Sequence, residues 1–421
     1  MQSSIKLRLT VMNFLQFAVW GAYLTSMGRY LGTAGFGSEI GNFYAMQGLV
    51  SLFMPALMGI VADRWIPAQR LLGVCHMLAG MLMLGVFLYT QTDAPSYPSL
   101  FALYSLSVAF YMPTLALSNS VAYTSLDQAG LDLVKSFPPI RVFGTVGFIC
   151  TMIAVSLLGL EATSGQFAVS AIISLVLAVY AQTLPNCPTA PKGQSKSLVE
   201  ALGLRAFVLF KQRKMALFFI FSMLLGVSLQ ITNGFANPFI STFGEIPAYA
   251  DTFGVKYANI LISLSQLSET LCILLIPFAL RRFGIRRVML IAMVAWVLRF
   301  ALLGLGNPGS GVWLFLLSMI VYGVAFDFFN VSGSLFVDKE TDPSIRSSAQ
   351  GLFMIMTNGI GATLGSLGAQ ALINRFVYSQ SEATAILSGW TTSWYVFAAY
   401  AAVVAVLFAV LFRYNTATEA K

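Results

Sequence analysis

Twelve stretches of this chain are each long and apolar enough to cross a bilayer as a helix, at roughly 20 residues per span. Hydrocarbon offers backbone amides no partner, so runs of this length must bond internally as helices. The runs fall at about 7–31, 38–62, 71–92, 97–123, 139–160, 165–184, 214–243, 256–280, 287–306, 311–337, 346–373 and 390–412. The chain is 57% hydrophobic and 10% charged, against about 25% charged in a soluble domain. An all-α membrane protein of twelve transmembrane helices is therefore expected. The first run reads as a span, because it is too long for a cleavable signal and lacks a small-residue cleavage site with a polar sequel.

Charge placement supplies the orientation. With both termini in the cytoplasm, only Arg29, Lys256 and Arg375 of the 24 Lys and Arg fall outside, and Arg141 and Arg299 fall within spans. That bias is the positive-inside pattern and predicts N-in, C-in topology. The net charge of +8 thus reports orientation and gives no reason to expect nucleic acid. The four cysteines are scattered singly, so no disulfide framework or metal site is expected.

The chain repeats itself once. PPIRVFGTVGF from Pro138 and PSIRSSAQGLF from Pro343 lie half a chain apart, matching Pro138 with Pro343, Ile140 with Ile345, Arg141 with Arg346 and Phe148 with Phe353. Such internal repetition is typical of transporters built from two similar bundles with the substrate site where they meet. A polar break rich in Pro, Ser and Lys, PNCPTAPKGQSKS, opens at Pro185 and continues as an amphipathic piece over Leu198–Phe210. It predicts a six-helix bundle over 1–184, a cytoplasmic linker over 185–213 and a second bundle over 214–421. The loop between spans two and three reads GIVADRWIPAQR (Gly59–Arg70), in which Asp63, Arg64 and Arg70 are expected to gate the cytoplasmic side. Its counterpart between spans eight and nine reads RRFGIRR (Arg281–Arg287).

Charge inside the bilayer costs about 2.5–3.5 kcal/mol per residue on insertion scales, so each instance calls for a reason. Span eight carries Glu269 in SLSQLSET, three residues after Gln266 and on the same face. Span seven carries a similar pair, Gln230 and Asn233. Paired amides can match a purine or pyrimidine edge, and a carboxylate can accept from two vicinal hydroxyls. The bland reading of all these groups is interhelical polar contact. In span ten, Tyr322 and Phe326 are four apart and suit stacking on a planar ring. Asp327 is turned about 140° from Tyr322, a position suited to a proton-binding group. Its rival role is a structural pair with Arg299, since counting from the cytoplasmic ends puts Arg299 at ~20 Å and Asp327 at ~15 Å. In span five Arg141, Thr145 and Phe148 form one helical stripe, which fits either a cavity wall or a gate with Arg141 pairing Asp63. His76 reads as a structural interfacial residue. Trp20 and Tyr23 are weaker cavity candidates.

The Gly–x–x–x–Asp–Arg loop, placed in a six-plus-six chain, resembles the signature loop of the major facilitator superfamily. Nearly the whole chain resembles its nucleoside:proton symporter family, most densely in NFLQFAVWGAYLTSMG, FMPALMGIVADRW, FPPIRVFGTVGFI, LQITN, SQLSET, VAWVLRFAL and LSMIVYGVAFDFFNVSGSLFV. The resemblance implies nucleoside contacts from Arg141, Thr145, Phe148, Gln230, Asn233, Gln266, Glu269, Tyr322 and Phe326, and proton coupling through Asp327. Departures fall in loops, after Thr242 and over Ser379–Ser388.

The expected function is proton-coupled nucleoside uptake by alternating access across a bacterial inner membrane. The expected protein is a monomer that partners with nucleoside, protons and lipid and uses the proton gradient in place of any cofactor. A sugar or glycoside symporter is the alternative within transport; there the amides and aromatics would have no base to read. A receptor is disfavoured by the lack of a sensor domain, and an enzyme by the lack of a nucleophile–base set, metal cluster or phosphate loop.

Overall fold

The computed structural model describes residues 2–189, 204–342 and 345–414, and every regular element among them is helical. In the first half these are α1 (Gln2–Gly21), α2 (Met27–Thr33), α3 (Ile40–Ser51), α4 (Met54–Arg64), α5 (Ala68–Tyr89), α6 (Tyr97–Gln128), α7 (Leu133–Leu157) and α8 (Gly165–Tyr180). The second half contains α9 (Arg213–Thr242), α10 (Ala258–Leu305), α11 (Val312–Glu340), α12 (Arg346–Met354), α13 (Ala362–Ile373) and α14 (Ala383–Leu411). Ten helical stretches among the described residues are long and apolar enough to cross a membrane. Pro343 of the repeat lies outside the described residues, as does 190–203, which takes in much of the expected linker and part of its amphipathic piece. Leu204–Lys211 is a short 3-10 segment.

The helices are broken in places the apolar runs do not mark. The run 7–31 is one stretch of hydropathy but two helices, separated by turns over 22–26. The run 38–62 is interrupted at Leu52 and Phe53, before Pro55 in the first turn of α4, where its missing N–H costs nothing. The reverse happens at RRFGIRR. The expected loop shrinks to one residue, Gly284, whose φ of 74° and ψ of 165° kink a 48-residue helix. Glycine alone takes that backbone without a Cβ penalty. Arg286 then serves as a cap, its Nε and Nη2 donating to the carbonyls of Phe412 at 2.6 Å and Ala409 at 2.7 Å, at the end of α14.

The chain forms two compact units, Met1–Tyr30 with Leu49–Leu202, and Leu31–Gly48 with Gly203–Lys421. In the first, α1 and α7 cross with backbones almost touching. A Cβ on Gly147 would stand 2.1 Å from the carbonyl oxygen of Phe14, so only glycine fits there. His76 is wholly buried, its Nε2 2.8 Å from Gln16 Oε1 and its Nδ1 3.0 Å from Ser174 Oγ. Tyr23 is equally buried, against Tyr104 and Phe167.

The second unit has an aromatic interior, with Phe218 against Phe336 and Phe353, and Phe239 against Trp390 and Trp394. Its α12–α13 span passes through a π-helical turn, Ile355–Gly361. Segment Leu31–Gly48 is joined to this unit by a polar seam. The backbone N–H of Gly41 donates to Gln370 Oε1, Gln370 Nε2 donates to the carbonyl of Gly37 at 3.0 Å, and Asn374 Nδ2 to that of Ser38 at 3.2 Å.

Candidate functional site

The candidate residues of the first unit lie on α7. Phe148 is buried, and Arg141 and Thr145 are half-buried. The close α1–α7 crossing sets two aromatic rings over this stripe. The guanidinium carbon of Arg141 lies 4.0 Å from the ring centroid of Phe17, a cation–π distance. Trp20 meets Phe148 edge-on at 6.4 Å and 87°. Phe17 and Trp20 are three apart and share a face, a spacing legible in the sequence, yet nothing there identifies Arg141 as what Phe17 touches. The repeat partner Arg346 is placed otherwise, pairing with Asp338 at 3.1 Å. Asp63 and Arg64 close α4, and Arg70 lies in the first turn of α5; Asp63 is half-buried and both arginines are exposed.

In the second unit α9 contributes the amides. Asn233 Nδ2 donates to Gln230 Oε1 at 2.7 Å, so the two side chains hold each other. The pair still presents the amide N–H groups of Gln230 and the carbonyl oxygen of Asn233, with one N–H of Asn233 left over. A fixed donor–acceptor pair is complementary to a heterocycle edge that presents an acceptor beside a donor.

Helices α10 and α11 carry the rest and pack closely because residue 323 is glycine. A Cβ there would stand 2.5 Å from the carbonyl oxygen of Ser268. The neighbouring residues Glu269 and Tyr322 are thereby drawn together, and Ser268 Oγ donates to the carbonyl of Ile320. Tyr322 and Phe326 form a parallel pair, 5.7 Å between centroids and 4° between planes. Asp327 shares the stripe of Gly323, is 5% exposed, and lies within electrostatic reach of Glu269. Among the described residues its Oδ2 has no hydrogen-bond partner, and an ionised carboxyl there has no paired cation to offset its burial. Gln266 lies one turn before Thr270, half-buried on the same helix.

The structure does not make the Arg299–Asp327 pair. Arg299 instead donates from Nη1 to the carbonyl of Ser318 at 2.7 Å and to Ser265 Oγ at 3.4 Å, with its guanidinium carbon 4.5 Å from the Tyr322 ring centroid. The reason is register. Arg299 and Ser318 are equally far from the short connection between α10 and α11, whereas Asp327 is nine residues further on, about 13.5 Å along the axis. Counting from the cytoplasmic ends treats them as level, but α11 overshoots the second half of α10 there by some two turns.

A family model described as nucleoside H+ symporter matches residues 3–417. The chain belongs to that family. Within it, the chain is 49% identical over 415 residues to the xanthosine permease of Escherichia coli (strain K12), covering 98% of this chain and 97% of the relative. It is 46% identical to the nucleoside permease NupG of the same organism, with the same coverage. A crystal structure of the nucleoside transporter NupG superposes with a TM-score of 0.91 at 45% identity, covering 97% of this chain and all of that one. This nucleoside H+ symporter family member is a multi-pass membrane protein of transporter fold, and among its described residues no cluster of His, Cys, Asp and Glu is arranged to hold a metal ion.

Proposed function

We propose that this protein takes up nucleosides with protons by alternating access across a bacterial inner membrane. Family membership over residues 3–417 carries the reading. The polar and aromatic groups of the second unit support it, since they offer what a nucleoside needs. The Gln230–Asn233 pair reads a base edge, the Tyr322–Phe326 pair stacks on the ring, Glu269 accepts from the ribose hydroxyls, and Arg141, Thr145, Phe148 and Gln266 add contacts. Asp327 binds the proton. Asp63, Arg64 and Arg70 act in the cytoplasmic gate. No cofactor is required, because the gradient supplies the energy, and the protein works as a monomer.

Twelve spans belong to the same reading. The kinked α10 counts as two, and α1 with α2 adds the one that its broken helix hides from a length criterion. The two bundles are 1–184 and 214–421, joined by 185–213, with both termini cytoplasmic.

Uptake of labelled uridine into proteoliposomes, with and without an inward proton gradient, tests the proposal. Uridine should accumulate above equilibrium only with the gradient, and excess sugar or glycoside should not compete. Gradient-independent uptake, or competition by sugars, would reject it in favour of a facilitator or a glycoside carrier.

The amide pair yields a sharper expectation. Alanine at Gln230 or Asn233 should cost about 1–3 kcal/mol of uridine binding, because the surviving amide loses its internal partner as well as its ligand contact. The double variant should cost clearly less than the sum, as for any pair in contact. Calorimetric titration of the three variants decides it; strictly additive losses would mean that the two amides act separately.

A further inference from the structure

Arg299 is a buried ion that the mechanism above leaves unused. It is 2% exposed, and among the described residues no acid pairs with it. A guanidinium held this way is costly, and an apolar side chain of similar volume would pack at lower cost. Its neighbours show what the charge does instead. Ser318 and Arg299 are bonded twice, Nη1 to the Ser318 carbonyl at 2.7 Å and Ser318 Oγ back to the Arg299 carbonyl at 2.9 Å. These two hydrogen bonds hold the arginine level with Ser318, one helical turn from Tyr322, with its guanidinium carbon 4.5 Å from the ring centroid. Trp296, one turn away on α10, meets the same ring edge-on at 5.9 Å and 88°. Tyr322 is thus gripped from α10 by a cation and an indole, while lying parallel to Phe326.

We infer that Arg299 is a positioning residue for the stacking platform: by cation–π contact it fixes the ring plane of Tyr322, and so holds Tyr322 and Phe326 ready for a planar base. The inference rests on the reading that Tyr322 contacts the nucleoside. Desolvation strengthens cation–π attraction, and a ring that is already ordered loses less freedom when ligand binds. Arg299 therefore tunes affinity for the base without touching it, and the proton step does not need it.

The test combines variants at both residues, read by uridine titration in detergent and by pH-driven uptake. Arg299→Met should weaken uridine binding about tenfold, whereas Arg299→Lys, which keeps the charge, should recover part of that loss. Phenylalanine at position 322 bearing one, two and then more ring fluorines should weaken binding stepwise, because each fluorine drains the face that attracts the cation. The same series on Arg299→Met, or on Arg299→Lys if the methionine variant does not fold, should show a flatter slope. Equal slopes in the two backgrounds overturn the inference. So does an Arg299→Met protein that binds uridine normally yet no longer accumulates it under a pH step, which would place Arg299 in proton coupling. Tyr322→Leu separates the two levels. Unchanged uridine binding there removes the reading underneath, while weakened binding with a silent Arg299→Met removes this inference alone.

Discussion

Asp327→Asn should abolish accumulation of uridine under a pH step while leaving uridine binding intact. The expectation follows from placement. Asp327 lies on the Gly323 stripe, facing the Ser268 turn of α10, whereas Tyr322 and Phe326 form their pair on another face of α11. Asparagine fills the same buried volume but cannot change charge, and a group that cannot change charge cannot sense a proton gradient. Exchange of uridine for uridine across the membrane should survive, since it needs no net proton movement. Binding in detergent and uptake in proteoliposomes are to be measured on the same preparation. If Asp327→Asn still concentrates uridine, the carrier of the proton is Glu269, the acid in electrostatic contact with it.

Glu269→Gln should do the reverse and harm binding first. A hydrogen bond to an ionised acceptor is roughly twice as strong as a neutral one, so the exchange removes about 1–1.5 kcal/mol. Uridine affinity should fall about tenfold. The penalty should shrink for 2′-deoxyuridine, which offers one hydroxyl fewer. Free uracil, with no ribose to hold, should compete poorly against the unmodified protein. Uracil and uridine competing equally would remove Glu269 from the ribose and leave it as a group that joins α10 to its neighbours.

Much of this was legible in the sequence, and the parts that were not share a cause. Spans are legible because hydropathy adds up residue by residue, and Tyr322 with Phe326 because four residues is one turn. Register between helices is another matter. Arg299 and Asp327 look level when counted from the cytoplasmic ends, and only the shared connection between α10 and α11 reveals that Arg299 belongs with Ser318. The contact between Phe17 and Arg141 is hidden for the same reason, since it depends on how closely α1 and α7 approach. Backbone punctuation departs from hydropathy in both directions. RRFGIRR, rich in charge, needs one glycine to turn, while the largely apolar stretch 22–26 breaks with only Thr25 and Ser26 to mark it. The repeat pairs Arg141 with Arg346 in sequence, but one lies on a ring and the other on an acid, because the two segments meet different surroundings.

The polar seam at Leu31–Gly48 sets a timetable for the chain's birth. Gly41 and Gln370 are 329 residues apart, so at about 5–20 residues per second roughly 16–66 s of synthesis separate them. The bonds within the first unit close much sooner, His76 to Gln16 across 60 residues and Gln16 to Thr114 across 98. The first unit can therefore settle before residues 31–48, which belong to the second, have all of their partners. A chain stopped short of Gln370 would keep the early bonds and the contacts of Tyr44 and Ala45 with Gly234 and Thr363, yet lack the amide that ties Gly37 and Gly41 in place.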